Sequence, residues 1–227
     1  MGIPVHINPR QGMSALFRPR DWLVPLSSLA LAFFLGAAVA KGETPILDQQ
    51  LLAWIGLHVT GIARSALIGV YKASGVTASF FLVLTALIYL LICQRWRDFA
   101  FLAIATGGIL MIVDLLLKPH FVRVRPPDAL ITLEGHSFPS GHAAGGIVFY
   151  FALVAILSVG HPKRRVPLTL LALTWVALVW FSTLLVRAHW PSDLIAGGAV
   201  GLAWLSLCLA WWRSSSKILV EDGRPHC

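Results

Sequence analysis

Residues 99–118 read FAFLAIATGGILMIVDLLLK, nineteen positions with one carboxylate, Asp114, closed by a lysine. A hydrocarbon core of ~30 Å takes about 20 apolar residues in helix. Lipid offers open backbone groups no partners, so such a run is expected to be helical. The apolar residues surround the axis and leave no polar stripe, unlike a helix of a soluble bundle. Working outward, five more segments read the same way: 22–40, 76–93, 141–160, 166–186 and 194–212. None alternates with a period of two, which excludes a transmembrane β-barrel. The expectation is an all-α polytopic membrane protein with six transmembrane helices. The 227 residues are 57% hydrophobic and 12% charged, against roughly 25% charged in a soluble domain. So few charges cannot cover a water-soluble monomer, and so much apolar content excludes intrinsic disorder.

Lysine and arginine give the orientation. With the N-terminus inside, Arg10, Arg18, Arg20, Arg95, Arg97, Lys163, Arg164, Arg165, Arg213, Lys217 and Arg224 are cytoplasmic, eleven of the 18. Positive charge favours that side, so both termini are expected in the cytoplasm. The net charge of +8 is then mostly a topology signal, and nucleic acid is not an expected partner. The chain reads as one membrane-embedded domain over 1–227, with a core over 22–212 and a cytoplasmic tail over 213–227. The long outer loop 41–75 contains LLAWIGLHVTGIARSALIGVY, broken by His58, Arg64 and glycines. It reads as an interfacial helix in the headgroup layer rather than a seventh span. Residues 1–20 lack the pattern of a cleaved signal peptide. Cys93, Cys208 and Cys227 have no ligand spacing, so neither a disulfide framework nor a zinc site is expected.

On this topology the unusual polar residues emerge on one face of the membrane. KPHFVRVRP (118–126) offers Lys118, Arg123 and Arg125 beside stiffening prolines. Such cations suit a phosphate, which guanidinium grips with two hydrogen bonds, but they also suit a juxtamembrane anchor. FPSGHAAGG (138–146) places Ser140 as N-cap of the fourth span, with Gly141 admitting an anion to the first N–H groups. His142 follows in the first turn, where it can pass a proton to a bound group; the bland alternative is a capped helix with a stray histidine. RAHWPSD (187–193) holds His189 and Asp193 four residues apart. An aspartate bonded to one ring nitrogen leaves the other free to attack, although Pro191 suggests that Asp193 begins the sixth span. An isolated interfacial histidine plus an N-cap aspartate is the alternative.

These three stretches together resemble the type 2 phosphatidic acid phosphatase superfamily, which also includes vanadium haloperoxidases. The first motif, Lys, six residues, Arg-Pro, is matched by Lys118, Arg125 and Pro126; Pro-Ser-Gly-His by residues 139–142; and the third by Ser182, His189 and Asp193. The arginine of the third motif falls on Thr183. Arg187, one turn on and ~6 Å along a helix, is expected to supply that phosphate contact instead. The resemblance implies a metal-independent phosphatase without a cofactor, acting through a phosphohistidine. His189 would attack, Asp193 would orient it, and His142 would protonate the leaving oxygen and then activate water. Lys118, Arg125, Ser140, Gly141 and Arg187 would hold the phosphoryl oxygens. Arg123 and His136 read as supporting or headgroup contacts, with Ser182 and Thr183 beside them. Asp114, buried at depth, is expected either to pair with Lys118 or to be protonated or water-lined. His58 and His120 read as interfacial.

The expected partners are the bilayer and a lipid phosphate diffusing within it. Among substrates an isoprenyl diphosphate such as undecaprenyl pyrophosphate is favoured, then phosphatidylglycerophosphate or phosphatidate, then a lipid A phosphate. A lipid phosphotransferase using the same intermediate and a non-catalytic lipid-phosphate binder are the competing readings. The expected location is a bacterial inner membrane, with the site facing the periplasm or exterior. The oligomeric state is not legible.

Overall fold

The computed structural model describes residues 22–42 and 44–221, with side chains as far as 214. The N-terminal stretch 1–20 and the last residues of the expected tail lie outside the described residues, as do the side chains of Lys217 and Arg224. The described residues form helices α1 (Leu23–Ala40), α2 (Ile46–His58), α3 (Gly61–Ala73), α4 (Val76–Ile92) and α5 (Trp96–Leu110), then a π-helical segment (Met111–Leu117). After it come α6 (Lys118–Phe121), α7 (Gly141–Leu157), α8 (Pro162–Leu185) and α9 (Pro191–Glu221). Each of the six apolar segments is therefore helical. Among the described residues four helices are long and apolar enough to cross a membrane: Leu23–Ala40, Trp96–Phe121, Pro162–Leu185 and Pro191–Ser214. The pair α3 and α4 passes only together, bent by 51°. α7, at 17 residues, is shorter. α9 continues beyond Trp212 to Glu221, so helix occupies the start of the expected tail.

The segment expected as the third span is one rod made of α5, the π segment and α6. Pro119 explains its widened turn. Proline lacks an N–H, and its ring clashes with the carbonyl four residues earlier, here Leu115 within the π segment. A π turn accommodates that loss and is common beside functional sites. It carries Asp114 and delivers Lys118 at its end.

Apolar burial does not drive helices together in lipid, so close contact through small residues must contribute. α9 supplies it. A Cβ on Gly197 would stand 2.4 Å from the Ser140 carbonyl oxygen, and one on Gly201 2.7 Å from that of Ala144. The four-residue spacing places both glycines on the face that meets α7. The main core joins Phe101, Leu102 and Ile109 of α5 to Val148 and Ala152 of α7 and Leu205 of α9. Outward-facing Phe33 and Phe34 are 80% and 71% exposed, as lipid-facing residues are.

Segment 41–75, expected as an outer loop with an interfacial helix, forms two helices, and α2 is docked. Leu52 and Ile55 pack with Ala143, Leu184, Leu185 and Leu194, capping the end of the bundle that carries Lys118. At the opposite end Arg95 donates to Asp98, whose other oxygen accepts from the Trp212 indole at 2.9 Å.

Candidate active site

One cavity of about 480 Å³ gathers Lys118, Arg125, Gly141, His142 and His189, together with Asp114. It continues between the helices along Phe80, Val83, Ile109, Phe149 and Val176. Its polar end therefore brings together residues from all three sequence groups, and its far walls are apolar.

α7 begins where Ser140 caps it: Ser140 Oγ accepts from the Ala143 N–H at 3.3 Å. The Ser140 N–H donates to the Asp193 carbonyl at 3.0 Å, tying the start of α7 to that of α9. Ser140 is fully buried, so its hydroxyl serves the helix rather than lining the cavity. Gly141 does line it; a Cβ there would stand 3.7 Å from Lys118 Nζ. His142 and His189 face each other with ring centroids 6.3 Å apart. His142 Nε2 is buried without a hydrogen-bond partner.

His189 sits between α8 and α9, buried, with Nδ1 2.7 Å from the Ser137 carbonyl oxygen. Only an N–H can bond to a carbonyl oxygen, so Nδ1 carries the proton and Nε2 keeps its lone pair. This corrects the expectation that Asp193 holds the tautomer. Asp193 Oδ2 is 3.7 Å from Nδ1, beyond hydrogen-bond range, and accepts from the Trp190 N–H at 2.8 Å. The reason is Pro191: it starts α9 after His189, so the two residues do not share a helix face. Asp193 acts on the ring as a nearby charge. Burial lowers the His189 pKa from its ordinary 6.5, and Asp193 opposes that shift.

Arg123 is not a headgroup contact. It is buried, and its Nη1 donates to Asp193 Oδ1 at 2.5 Å and to Ser192 Oγ at 2.8 Å. Its Nη2 donates to Asp48 at 3.1 Å. Arg125 is held by three carbonyls: Nε donates to Gly135 at 3.1 Å, Nη1 to Ala188 at 2.6 Å and Nη2 to Glu134 at 2.9 Å. A guanidinium has five N–H groups, so one remains on each terminal nitrogen. Lys118 donates to Asp114 at 2.6 Å, the pairing that was one of the alternatives expected for that carboxylate. Asp114 is not enclosed in the span; its side chain is 44% exposed.

Arg187 does not join these residues. It adopts a left-handed conformation with φ of 56° and donates to the Pro127 carbonyl at 3.2 Å. It lines a separate groove with Arg64, Gly56 and Asp128. α8 ends at Leu185, so the helical path assumed from Thr183 to Arg187 does not exist. Ser182 and Thr183 are fully buried, their hydroxyls donating to the carbonyls of Val179 and Trp180. His136 is half-buried and is not among the cavity-lining residues. Two residues were missed by sequence reasoning. Tyr71 of α3 stacks on His142 at 5.2 Å, and Asp48 of α2 is the buried partner of Arg123. The one available signal was an acidic residue alone in the apolar segment ILDQQLLAWIGLH.

Comparison with known proteins follows this geometry. Phosphatidylglycerophosphatase B of Escherichia coli K12 is 36% identical over 80 residues, 34% of this chain and 29% of that protein. Lipid A 1-phosphatase of Rhizobium johnstonii is 35% identical over 124 residues, 48% of this chain and 47% of that protein. Undecaprenyl-diphosphatase of Sulfolobus acidocaldarius is 29% identical over 136 residues, 57% of this chain and 62% of that protein. The chain thus spans less than two thirds of each of these relatives. The crystal structure of a transmembrane PAP2-type phosphatidylglycerolphosphate phosphatase from Bacillus subtilis shares the fold, with a TM-score of 0.73 at 20% identity, covering 89% of this chain and 98% of that one. The PAP2 superfamily model matches residues 99–217, the stretch that holds Lys118, Arg125, His142, His189 and Asp193, and the chain belongs to that superfamily.

Proposed function

We propose that this protein is a six-span membrane phosphatase with both termini in the cytoplasm, hydrolysing a lipid phosphate or diphosphate at the extracytoplasmic face. The observation that carries the reading is the pair of histidines facing across one cavity beside Lys118 and Arg125, with His189 Nε2 left free to attack. His189 Nε2 forms a bond to phosphorus while the bond from phosphorus to the leaving oxygen breaks. His142 gives that oxygen a proton. Water, deprotonated by His142, then attacks phosphorus, the P–N bond breaks and phosphate leaves. Lys118, the free N–H pair of Arg125 and the Gly141 N–H stabilise the equatorial oxygens, where charge is spread in the transition state.

The apolar walls of the cavity support a substrate carrying a hydrocarbon chain. Undecaprenyl pyrophosphate is the favoured substrate, with phosphatidylglycerophosphate or phosphatidate next and a lipid A phosphate after them. The deciding experiment measures phosphate release from this panel by purified protein in detergent with EDTA present. The expected result is release that His189→Gln lowers on the order of 10³-fold or more, with acid-labile phosphate trapped on the wild-type chain. Phosphate recovered on an acceptor lipid instead of in water would identify a phosphotransferase. Undiminished release by His189→Gln would sink the reading.

A further inference from the structure

Asp193 is fully buried, as a carboxylate supporting a histidine nucleophile should be, yet it is bonded at 2.5 Å to a guanidinium. Arg123 and Asp193 alone would form a neutral pair. That pair would give little support to the positive charge that His189 acquires as it bonds to phosphorus. The structure supplies a second carboxylate. Asp48, 3% exposed, accepts from Arg123 Nη2 at 3.1 Å, from Ser192 Oγ at 2.5 Å and, through Oδ1, from the Ser192 N–H at 2.9 Å. Two carboxylates thus share one cation, and the buried group keeps a net charge of −1.

We infer that Asp48 is a positioning residue for phosphoryl transfer: it shares Arg123 with Asp193, so that Asp193 still presents negative charge to His189, and it fixes the first turn of α9 through Ser192. The inference rests on the reading of His189 as the nucleophile. Other charged groups cannot substitute for it. Arg125 and Lys118 flank the cavity as cations, His142 faces His189 from α7, Asp114 is bonded to Lys118, and Glu134 is exposed. Nor does stability account for the triad. Buried ion networks often contribute no more than well-packed apolar residues of similar volume, because desolvation offsets their attraction. A costly triad drawn from α2, the loop after α6 and α9, whose Asp193 carboxylate lies 3.7 Å from His189 Nδ1, is better explained by the charge it holds there.

The test uses full-length protein in detergent with the lipid phosphate that the wild type hydrolyses. Asp48→Asn keeps the shape and removes the charge. It should lower kcat on the order of tenfold and leave KM within about twofold. Removing an anion near His189 disfavours its protonated form, so the acid limb of the pH–rate profile should move to lower pH. The double variant Asp48→Asn/Arg123→Gln removes one charge of each sign and restores −1 through Asp193 alone. It should be faster than Asp48→Asn. A purely structural role predicts the opposite, because the packing losses accumulate. A wild-type kcat for Asp48→Asn, or a double variant slower than the single one, overturns the inference while an inert His189→Gln keeps the site reading. An active His189→Gln overturns both. If Asp48→Asn does not fold by its melting curve, the double variant decides: kcat within about tenfold of wild type supports the inference, and a loss as deep as that of His189→Gln overturns it.

Discussion

Gly197→Ala tests whether the seam between α7 and α9 sets the catalytic geometry. The added methyl would stand 2.4 Å from the Ser140 carbonyl oxygen, 3.1 Å from its nitrogen and 3.2 Å from its carbonyl carbon. Ordinary contact begins at 3.4 Å, so about 1 Å must open. The obstructing atoms are backbone, and that backbone is held by the Ser140 N–H bond to Asp193 and by the cap on Ala143. It cannot turn aside as a side chain would. The helices must separate instead, taking Gly141 and His142 away from His189 and Asp193. Overpacking of this kind costs about 1–3 kcal/mol of stability, while replacing glycine by alanine within a helix returns about 1 kcal/mol. The net change in melting temperature should therefore be small. Catalysis is more sensitive: a displacement of about 1 Å costs on the order of 10²-fold, or ~2.7 kcal/mol of transition-state stabilisation. The assay is phosphate release at saturating lipid, with Gly69→Ala as the control because nothing lies within 4 Å of its added methyl. Gly197→Ala retaining more than half of wild-type kcat would refute the argument that this contact sets the distance between the histidines.

Three further outcomes follow from the site. Burial lowers the His189 pKa from its ordinary 6.5, and the neutral ring is the attacking form; activity should therefore persist as pH falls through 6.5, and an acid limb of kcat/KM at or above that value would contradict it. Arg125→Ala, which removes a guanidinium lining the cavity, should cost on the order of 10²-fold in kcat, whereas Arg187→Ala should stay within about threefold because Arg187 lines the separate groove; equal losses in steady-state kinetics would reverse this assignment. Asp114→Asn should raise KM severalfold by releasing Lys118 from its 2.6 Å partner, about the effect of one exposed ion pair, and an unchanged KM would show that the lysine needs no positioning.

The helical segments were legible because a hydrocarbon core demands long apolar runs, and 99–117 meets that demand without help from its neighbours. Lys118, Arg125, His142 and His189 were legible as chemistry, because three stretches far apart in sequence emerge together on one side of the expected topology and match the three motifs of one family. Their shared cavity required only that the spans alternate. The partners of Asp193 were not legible. Arg123 lies 70 residues away, and Asp48 lies 144 residues from Ser192, in a segment whose broken apolar pattern suited the headgroup layer as well as a docked helix. Arg187 misled for a local reason: reach along a helix was assumed where φ turns positive. Gly197 and Gly201 looked like ordinary small residues of a span, because close approach between backbones leaves no mark in composition.

The missing arginine at Thr183 bears on how the remaining groups bind phosphate. Thr183 is fully buried, and its carbonyl accepts from the Ala188 N–H at 3.0 Å, so the position is closed by the end of α8 and not simply empty of charge. On the proposed reading the site works with two cations, and both are fixed beforehand. Three carbonyls hold the Arg125 guanidinium with one N–H left on each terminal nitrogen, an arrangement suited to gripping two oxygens of one phosphoryl group. Asp114 holds the Lys118 ammonium against the Gly141 turn. Donors already in place need not reorganise as charge develops, which is where electrostatic stabilisation is largest. A third mobile cation would add attraction in the ground state as much as in the transition state, and binding both equally lowers KM without raising kcat. Further positive charge beside His189 would also oppose the cation proposed to form there, the same charge that we infer Asp193 and Asp48 support.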